Sequence, residues 1–343
     1  MPAQKPTQRI DVINALRAFA ATFVAWGHFV SGQGKYLGLS GKYGYLGVDI
    51  FFVISGFVIP WSLYRSHYVL RDYPRFLLKR NVRLYPPYLA SIVVTLLATN
   101  LVLVPLFHVP RLSITGRTLL LHFTYLNDLV GVPWVNVAYW TLAVECQWYI
   151  LVGLMLPLLA SSSKVTRFAA TAAMMAAYFA VPNHHLVSGS LPIFLIGVFV
   201  FQYRSRLIGL GEMLGLTFVM VVAMRGPIGW IVAAVSVATG LIIALSTFHN
   251  RAADFVGDIS YSLYLLHLPI GVSVIGCLSH WLPYSSSYIG VLDVVGLAAS
   301  GLAAWIMYQL IEKPSQVMSS SIRFAHRQVE PTPGAVIVAA SAD

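Results

Sequence analysis

The sequence predicts an all-α, polytopic membrane protein with about ten transmembrane helices and both termini in the cytoplasm. Three observations predict it. First, only 10% of the 343 residues are charged while 58% are hydrophobic, whereas an ordinary domain spends about a quarter of its residues on charge. So few charges cannot coat a 37.7 kDa globule, and a mean hydropathy of +0.75 spreads the apolar excess over the chain. Second, apolar windows recur at about the 17–25 residues that a membrane helix needs. Third, Lys and Arg fall unevenly between alternate connections. Soluble, disordered, collagenous and disulfide-stapled classes are thereby excluded. Cys146 and Cys277 both lie in apolar stretches, which argues against a disulfide framework.

In chain order, the windows are 12–30, 44–62, 84–106, 137–160, 166–181, 190–203, 207–224, 227–247, 259–279 and 288–311. The N-terminus lacks a clean apolar stretch ending in a small-residue cleavage site, so the first window reads as a retained helix. Window 190–203 is short enough to be tilted or broken. The stretch 117–134 is too short and polar to span and reads as interfacial or re-entrant. Residues 1–11 read as a cytoplasmic N-terminus, 12–314 as the membrane domain, and 315–343 as a disordered cytoplasmic tail.

With the N-terminus inside, inner segments collect 16 Lys/Arg and outer segments five, namely Lys35, Lys42, Arg111, Arg117 and Arg225; Arg17 lies within the first span. That asymmetry is a positive-inside signal. It accounts for the net charge of +10 as topology and predicts no nucleic-acid partner. Membrane lipids are the expected surroundings.

Polar groups inside spans cost free energy and are candidates for function. Arg17 and His28 are eleven residues apart, which puts them within roughly 20° on one helical face and about 16 Å apart along it. Snorkelling explains Arg17 alone, and a satisfied structural histidine explains His28 alone. Together they suggest the lining of a shared cavity. Asp49 falls near the outer end of the second helix, at a depth where it could orient His28 or pair with a loop lysine. Ser55 and Gly56 lie deeper and suit close helix packing. Arg80 and Arg83 sit three apart on one face, just before a Tyr85-Pro86-Pro87 break. Lipid headgroups or a polyphosphate ligand would both suit their forks. Glu145 sits one to two turns below the outer surface. Ser260, Tyr261, Ser262 and Tyr264 cluster near the inner end of the ninth helix, with His267 deeper. Glu312-Lys313-Pro314 reads as a helix terminator. No P-loop, HExxH or GxSxG is present, and the adjacent pair His184-His185 suits chelation poorly, so no metal site is expected.

The ordered segments Arg17-x10-His28, Gly47-Val48-Asp49 through Phe57, Arg80-x-x-Arg83-Leu84-Tyr85-Pro86, Trp140-Thr141-Leu142-x-x-Glu145, Ser260-Tyr261-Ser262-Leu263-Tyr264-Leu265-x-His267 and Glu312-x-Pro314 resemble the integral-membrane acyltransferase 3 family. That family includes many bacterial polysaccharide O-acetyltransferases, and the resemblance covers residues 9–316. Ala15 and Ala18 stand beside Leu16-Arg17 where the family commonly has glycines.

The resemblance implies an O-acyltransferase of the bacterial inner membrane. Its donor would be acyl-CoA, usually acetyl-CoA, with no permanently bound cofactor, and its acceptor a hydroxyl on a glycan or glycolipid. Residue chemistry fits that independently, because a neutral imidazole suits deprotonation of an attacking alcohol near pH 7. His28 is therefore expected to be the general base, with Glu145 or Asp49 as orienting carboxylate. Arg17, Arg80, Arg83, Tyr261 and His267 are expected on the donor side. The competing class is a transporter using the buried polar residues as a relay, which the absence of a visible inverted repeat disfavours.

Overall fold

In the computed structural model the described residues are 12–30, 38, 40–224, 229–281 and 286–324. Among them every regular element is helical. Six rods are long and apolar enough to cross a membrane: α2 (Leu46–Arg65), α3 (Leu70–Phe107), α5 (Val137–Leu159), α7 (Val187–Arg204), α11 (Ser260–Trp281) and Gly290–Ser321. The last comprises most of α12 (Ser286–Met307), a π turn at Tyr308–Glu312, and α13 (Lys313–Ser321). Helices also occupy the remaining four expected windows. They are α1 (Val12–Val30), α6 (Lys164–Ala180), α8 (Leu210–Ala223) and α9 (Trp230–Leu245). α6, α8 and α9 have 17 residues or fewer, and Asn14, Arg17 and His28 lower the hydropathy of α1. Short helices α4 (Gly116–Thr124) and α10 (Arg251–Asp258) complete the set used below.

Large apolar side chains such as Leu101, Phe218 and Leu310 are mostly exposed. Water would not tolerate so much apolar surface, and lipid does. Helix starts follow local chemistry. Ser163 Oγ accepts from the Thr166 N–H at the head of α6, and Asn250 Oδ1 accepts from Ala252 and Ala253 at the head of α10, each relieving backbone donors left open at a helix N-terminus.

The centre of the bundle is α7, nearly all of whose residues from Ser190 to Gln202 are buried, packed on α2. Two glycines make this contact close. A Cβ on Gly56 would strike the backbone of Phe194, and one on Gly197 would strike that of Val53 and Gly56. Any larger residue would push the two backbones apart, the role expected for small residues between membrane helices. Beside them Phe194 stacks between Phe52 (4.7 Å) and Trp148 (4.5 Å). α1 lies on the other side of α2, with Gly47 against the backbone of Ala20. α1 is tied to α10 by the Asn14 Nδ2–H donating to Asp258 Oδ1 at 3.1 Å.

Two boundaries differ from the sequence reading. α3 begins at Leu70, so Arg75, Lys79, Arg80 and Arg83 ride on a helix rather than a loop. Pro86 and Pro87 lie inside that helix without ending it. Hydropathy marks where lipid begins, whereas helical hydrogen bonding continues into the basic segment. At the other end, the rod continues past Pro314 to Ser321, where Ser319 Oγ donates to the Lys79 carbonyl at 2.8 Å. Proline is tolerated there because it follows the π turn at Tyr308–Glu312, where the regular i→i−4 ladder is already interrupted. Residues 1–11 and 325–343 of the expected cytoplasmic ends lie outside the described residues.

Candidate active site

α1, α2, α3, α5, α11 and the π turn before α13 surround a cavity of about 150 Å³. Arg17 reaches it from α1, Arg80 and Arg83 from α3, Glu145 and Tyr149 from α5, Tyr261 and Tyr264 from α11, and Glu312 from the π turn. Val48, Phe51, Phe52 and Leu142 supply an apolar wall. The one-face spacing of Arg80 and Arg83 thus delivers both forks to one space.

The carboxylates are held by hydroxyls and an amide. Glu145 Oε1 accepts from Ser55 Oγ at 2.7 Å and Tyr149 OH at 2.5 Å. Glu312 accepts from Ser262 Oγ at 2.6 Å and Gln316 Nε2 at 3.0 Å. Among the described residues, no carboxylate lies within 4.0 Å of the Arg17, Arg80 or Arg83 guanidinium. Arg17 Nε donates to Ser260 Oγ at 3.1 Å, and that hydroxyl donates to the Gly257 carbonyl. Arg80 lies 5.7 Å from the Phe76 ring centroid and 5.6 Å from that of Tyr149, in cation–π range. Its Nε is buried with no hydrogen-bond partner. Three cations against two carboxylates leave the space net positive, and a buried donor without a partner costs about 1–3 kcal/mol.

His28 stands apart. It is exposed at the last turn of α1 and does not line the cavity. Eleven residues of rise, about 16 Å, carry it beyond the space that Arg17 reaches. The shared cavity expected from their common face is therefore not formed. His28 instead packs on His267, ring centroids 5.0 Å apart, with His267 Nε2 3.2 Å from His28 Nδ1. His267, expected on the donor side, is fully buried and likewise outside the cavity. Tyr264 joins the two regions. Its side chain lines the cavity, its OH is 2.7 Å from Thr141 Oγ1, and its carbonyl is 2.7 Å from His267 Nδ1.

Glu145, expected behind His28, turns to Ser55 and Tyr149. Asp49 is half-buried on α2 and does not line the cavity. Tyr261 lines it and donates to the Leu84 carbonyl at 3.0 Å. Sequence reasoning missed the cavity role of Glu312, which it took for a terminator, and of Tyr149. It also missed Asp293, fully buried within α12, although an acid inside an apolar window was the signal in plain view.

A helical bundle with an apolar outer surface and a charged cavity fits a membrane enzyme or carrier, and comparison with known proteins decides between these. The chain belongs to the acyltransferase 3 family, whose acyltransferase domain profile matches residues 10–309; it is a membrane acyltransferase. It is similar to nodulation protein 10 of Rhizobium leguminosarum bv. viciae, 25% identical over 80% of this chain and 83% of that one. It also resembles protein 2 in the picA locus of Rhizobium radiobacter, 33% identical over 26% of this chain and 46% of that one. No solved structure matches.

Proposed function

We propose that this acyltransferase moves an acyl group, acetyl in the simplest case, from cytosolic acyl-CoA to a sugar hydroxyl of an exported glycan or glycolipid. The setting is a bacterial inner membrane crossed about ten times, with both termini inside. The observation that carries the reading is the set of three guanidinium groups around one cavity with no carboxylate paired to them among the described residues. CoA brings a pyrophosphate and a ribose phosphate, and Arg forks bind phosphate oxygens bidentately. A phosphate oxygen would also satisfy Arg80 Nε. The cavity's apolar wall suits the carbon chain of the thioester arm.

In this reading His28 is the general base, removing the acceptor hydroxyl's proton as the oxygen attacks the thioester carbonyl. The thioester would pass beside Tyr264 to meet it. Glu145 holds Tyr149 beneath the Arg80 guanidinium and so shapes the donor site, while Asp49 supplies a carboxylate on α2 for the acceptor side. The test is to incubate washed membranes with radiolabelled acetyl-CoA and a glycan fraction. Label should enter glycan only when the chain is present and should be competed by unlabelled CoA. Incorporation independent of the chain, or solute flux without donor, would sink the reading.

A further inference from the structure

A histidine acting as a base needs its lone pair on the nitrogen that meets the substrate, and a neighbouring group commonly fixes this. At His28 that neighbour is another imidazole. His267 Nδ1 lies 2.7 Å from the Tyr264 carbonyl oxygen. A carbonyl only accepts, so Nδ1 bears the hydrogen, and in the neutral ring the lone pair is on Nε2. That Nε2 is 3.2 Å from His28 Nδ1, which is 3.0 Å from the Val24 carbonyl oxygen. By the same argument His28 Nδ1 bears a hydrogen, shared between Val24 and His267. With both rings neutral, no other assignment of the two hydrogens makes all three contacts hydrogen bonds. The lone pair of His28 is then on Nε2.

His122 shows what a purely structural histidine does. Its Nδ1 also meets a carbonyl one turn back, that of Thr118 at 2.9 Å, but its Nε2 accepts the Val135 N–H at 3.1 Å. Both ring nitrogens are spent on backbone. His28 lies on an exposed turn, and its Nδ1 meets a fully buried ring as well as a carbonyl.

We infer that His267 is a positioning residue for acyl transfer, holding His28 in the tautomer whose lone pair is on Nε2. The inference rests on the reading of His28 as base. In the step, the acceptor oxygen bonds to the thioester carbon as its proton passes to His28 Nε2. The carbon–sulfur bond breaks, and the departing CoA thiolate takes that proton back. While His28 is an imidazolium, its Nδ1–H bond to His267 Nε2 becomes charge-assisted and stronger. His267 forms no bond to substrate. A neutral acceptor steers the tautomer without adding a formal charge to the apolar bundle, where an unpaired carboxylate would be costly.

Two substitutions separate the inference from a structural role. In His267→Gln the amide oxygen can occupy the place of Nε2 and accept from His28, whereas in His267→Asn the shorter amide reaches only the Tyr264 carbonyl. Protein carrying 15N-histidine, reconstituted in lipid, is read by solid-state NMR, with the His28 signals identified by their loss in His28→Ala. The wild type should show His28 protonated at Nδ1 and bare at Nε2, and the Asn variant a mixture of tautomers. The Asn variant should also lose about 10–100-fold in kcat, the usual cost of removing such an orienting partner, with KM for acetyl-CoA unchanged and activity largely recovered in the Gln variant. A wild-type His28 protonated at Nε2, or an Asn variant with unchanged kcat, overturns the inference. If the Asn variant fails to fold, the wild-type spectrum alone decides. Normal acyl transfer by His28→Ala would instead remove the base reading, a failure distinguishable because the tautomer is read without turnover.

Discussion

The arginine-lined cavity and the histidine pair both draw on α1 and α11, yet they settle their polar groups in opposite ways. Around the cavity, full charges rest on hydroxyls and aromatic faces, and Arg80 Nε has no partner. At the pair, two rings rest on backbone carbonyls and on each other. The first region awaits charge from outside; the second fixes where a proton sits. On the proposed reading, binding and chemistry would occupy separate levels of the bundle, with Tyr264 touching both regions.

Substitutions on the two sides should therefore separate cleanly. The largest effect is expected at the pair. His28→Ala should lower the transfer rate by about 10²–10⁴-fold, the usual scale of general-base catalysis, while equilibrium binding of acetyl-CoA is unchanged. Loss of binding as well would merge the two regions into one. Next comes the cavity. Arg80→Ala or Arg83→Ala should weaken acetyl-CoA binding about 10–100-fold, the equivalent of a charged hydrogen bond worth about 1.5–3 kcal/mol, and leave kcat at saturating donor nearly intact. Titration calorimetry in nanodiscs reads this directly, and unchanged affinity would return the arginines to a lipid-anchoring role. Lysine at either position should recover only part of the loss, because it lacks the fork. The smallest effect has the opposite sign. Glu312→Gln keeps the hydrogen-bonding shape while removing a negative charge beside the expected phosphate site, so donor binding should tighten by about threefold, on the scale of a partly screened charge interaction. Weaker binding would show that the carboxylate orients the arginines instead of opposing their ligand.

Much of the fold was legible in the sequence because apolar windows register span positions directly, and the helices lie where those windows fell. The start of α3 was not, since basic residues at 71–83 lower hydropathy without interrupting a helix. For the site, the periodicity that put Arg17 and His28 on one face was sound. What periodicity cannot supply is how far a cavity extends along that face, and here it stops short of His28. Residues three apart on α3 were enough to converge Arg80 and Arg83, because both point the same way from one rod. Glu312 escaped because Glu-Lys-Pro resembles a stop, whereas the chain there only loosens into a π turn. The imidazole partner of His28 escaped for another reason: contact between residues 239 apart in sequence leaves no local pattern, and a carboxylate was the more familiar expectation.

The π turn at His267–Val272 changes the phase of α11. A π turn takes up roughly one extra residue, about 100° of rotation on an α-helical wheel. A single wheel drawn over α11 therefore misplaces every residue on one side of it. Tyr261 and Tyr264 keep one phase and face the cavity; Gly271, within the turn, lies against Phe29 and Ser300. His267 stands at the joint, so one unbroken rod shows two different faces to its neighbours.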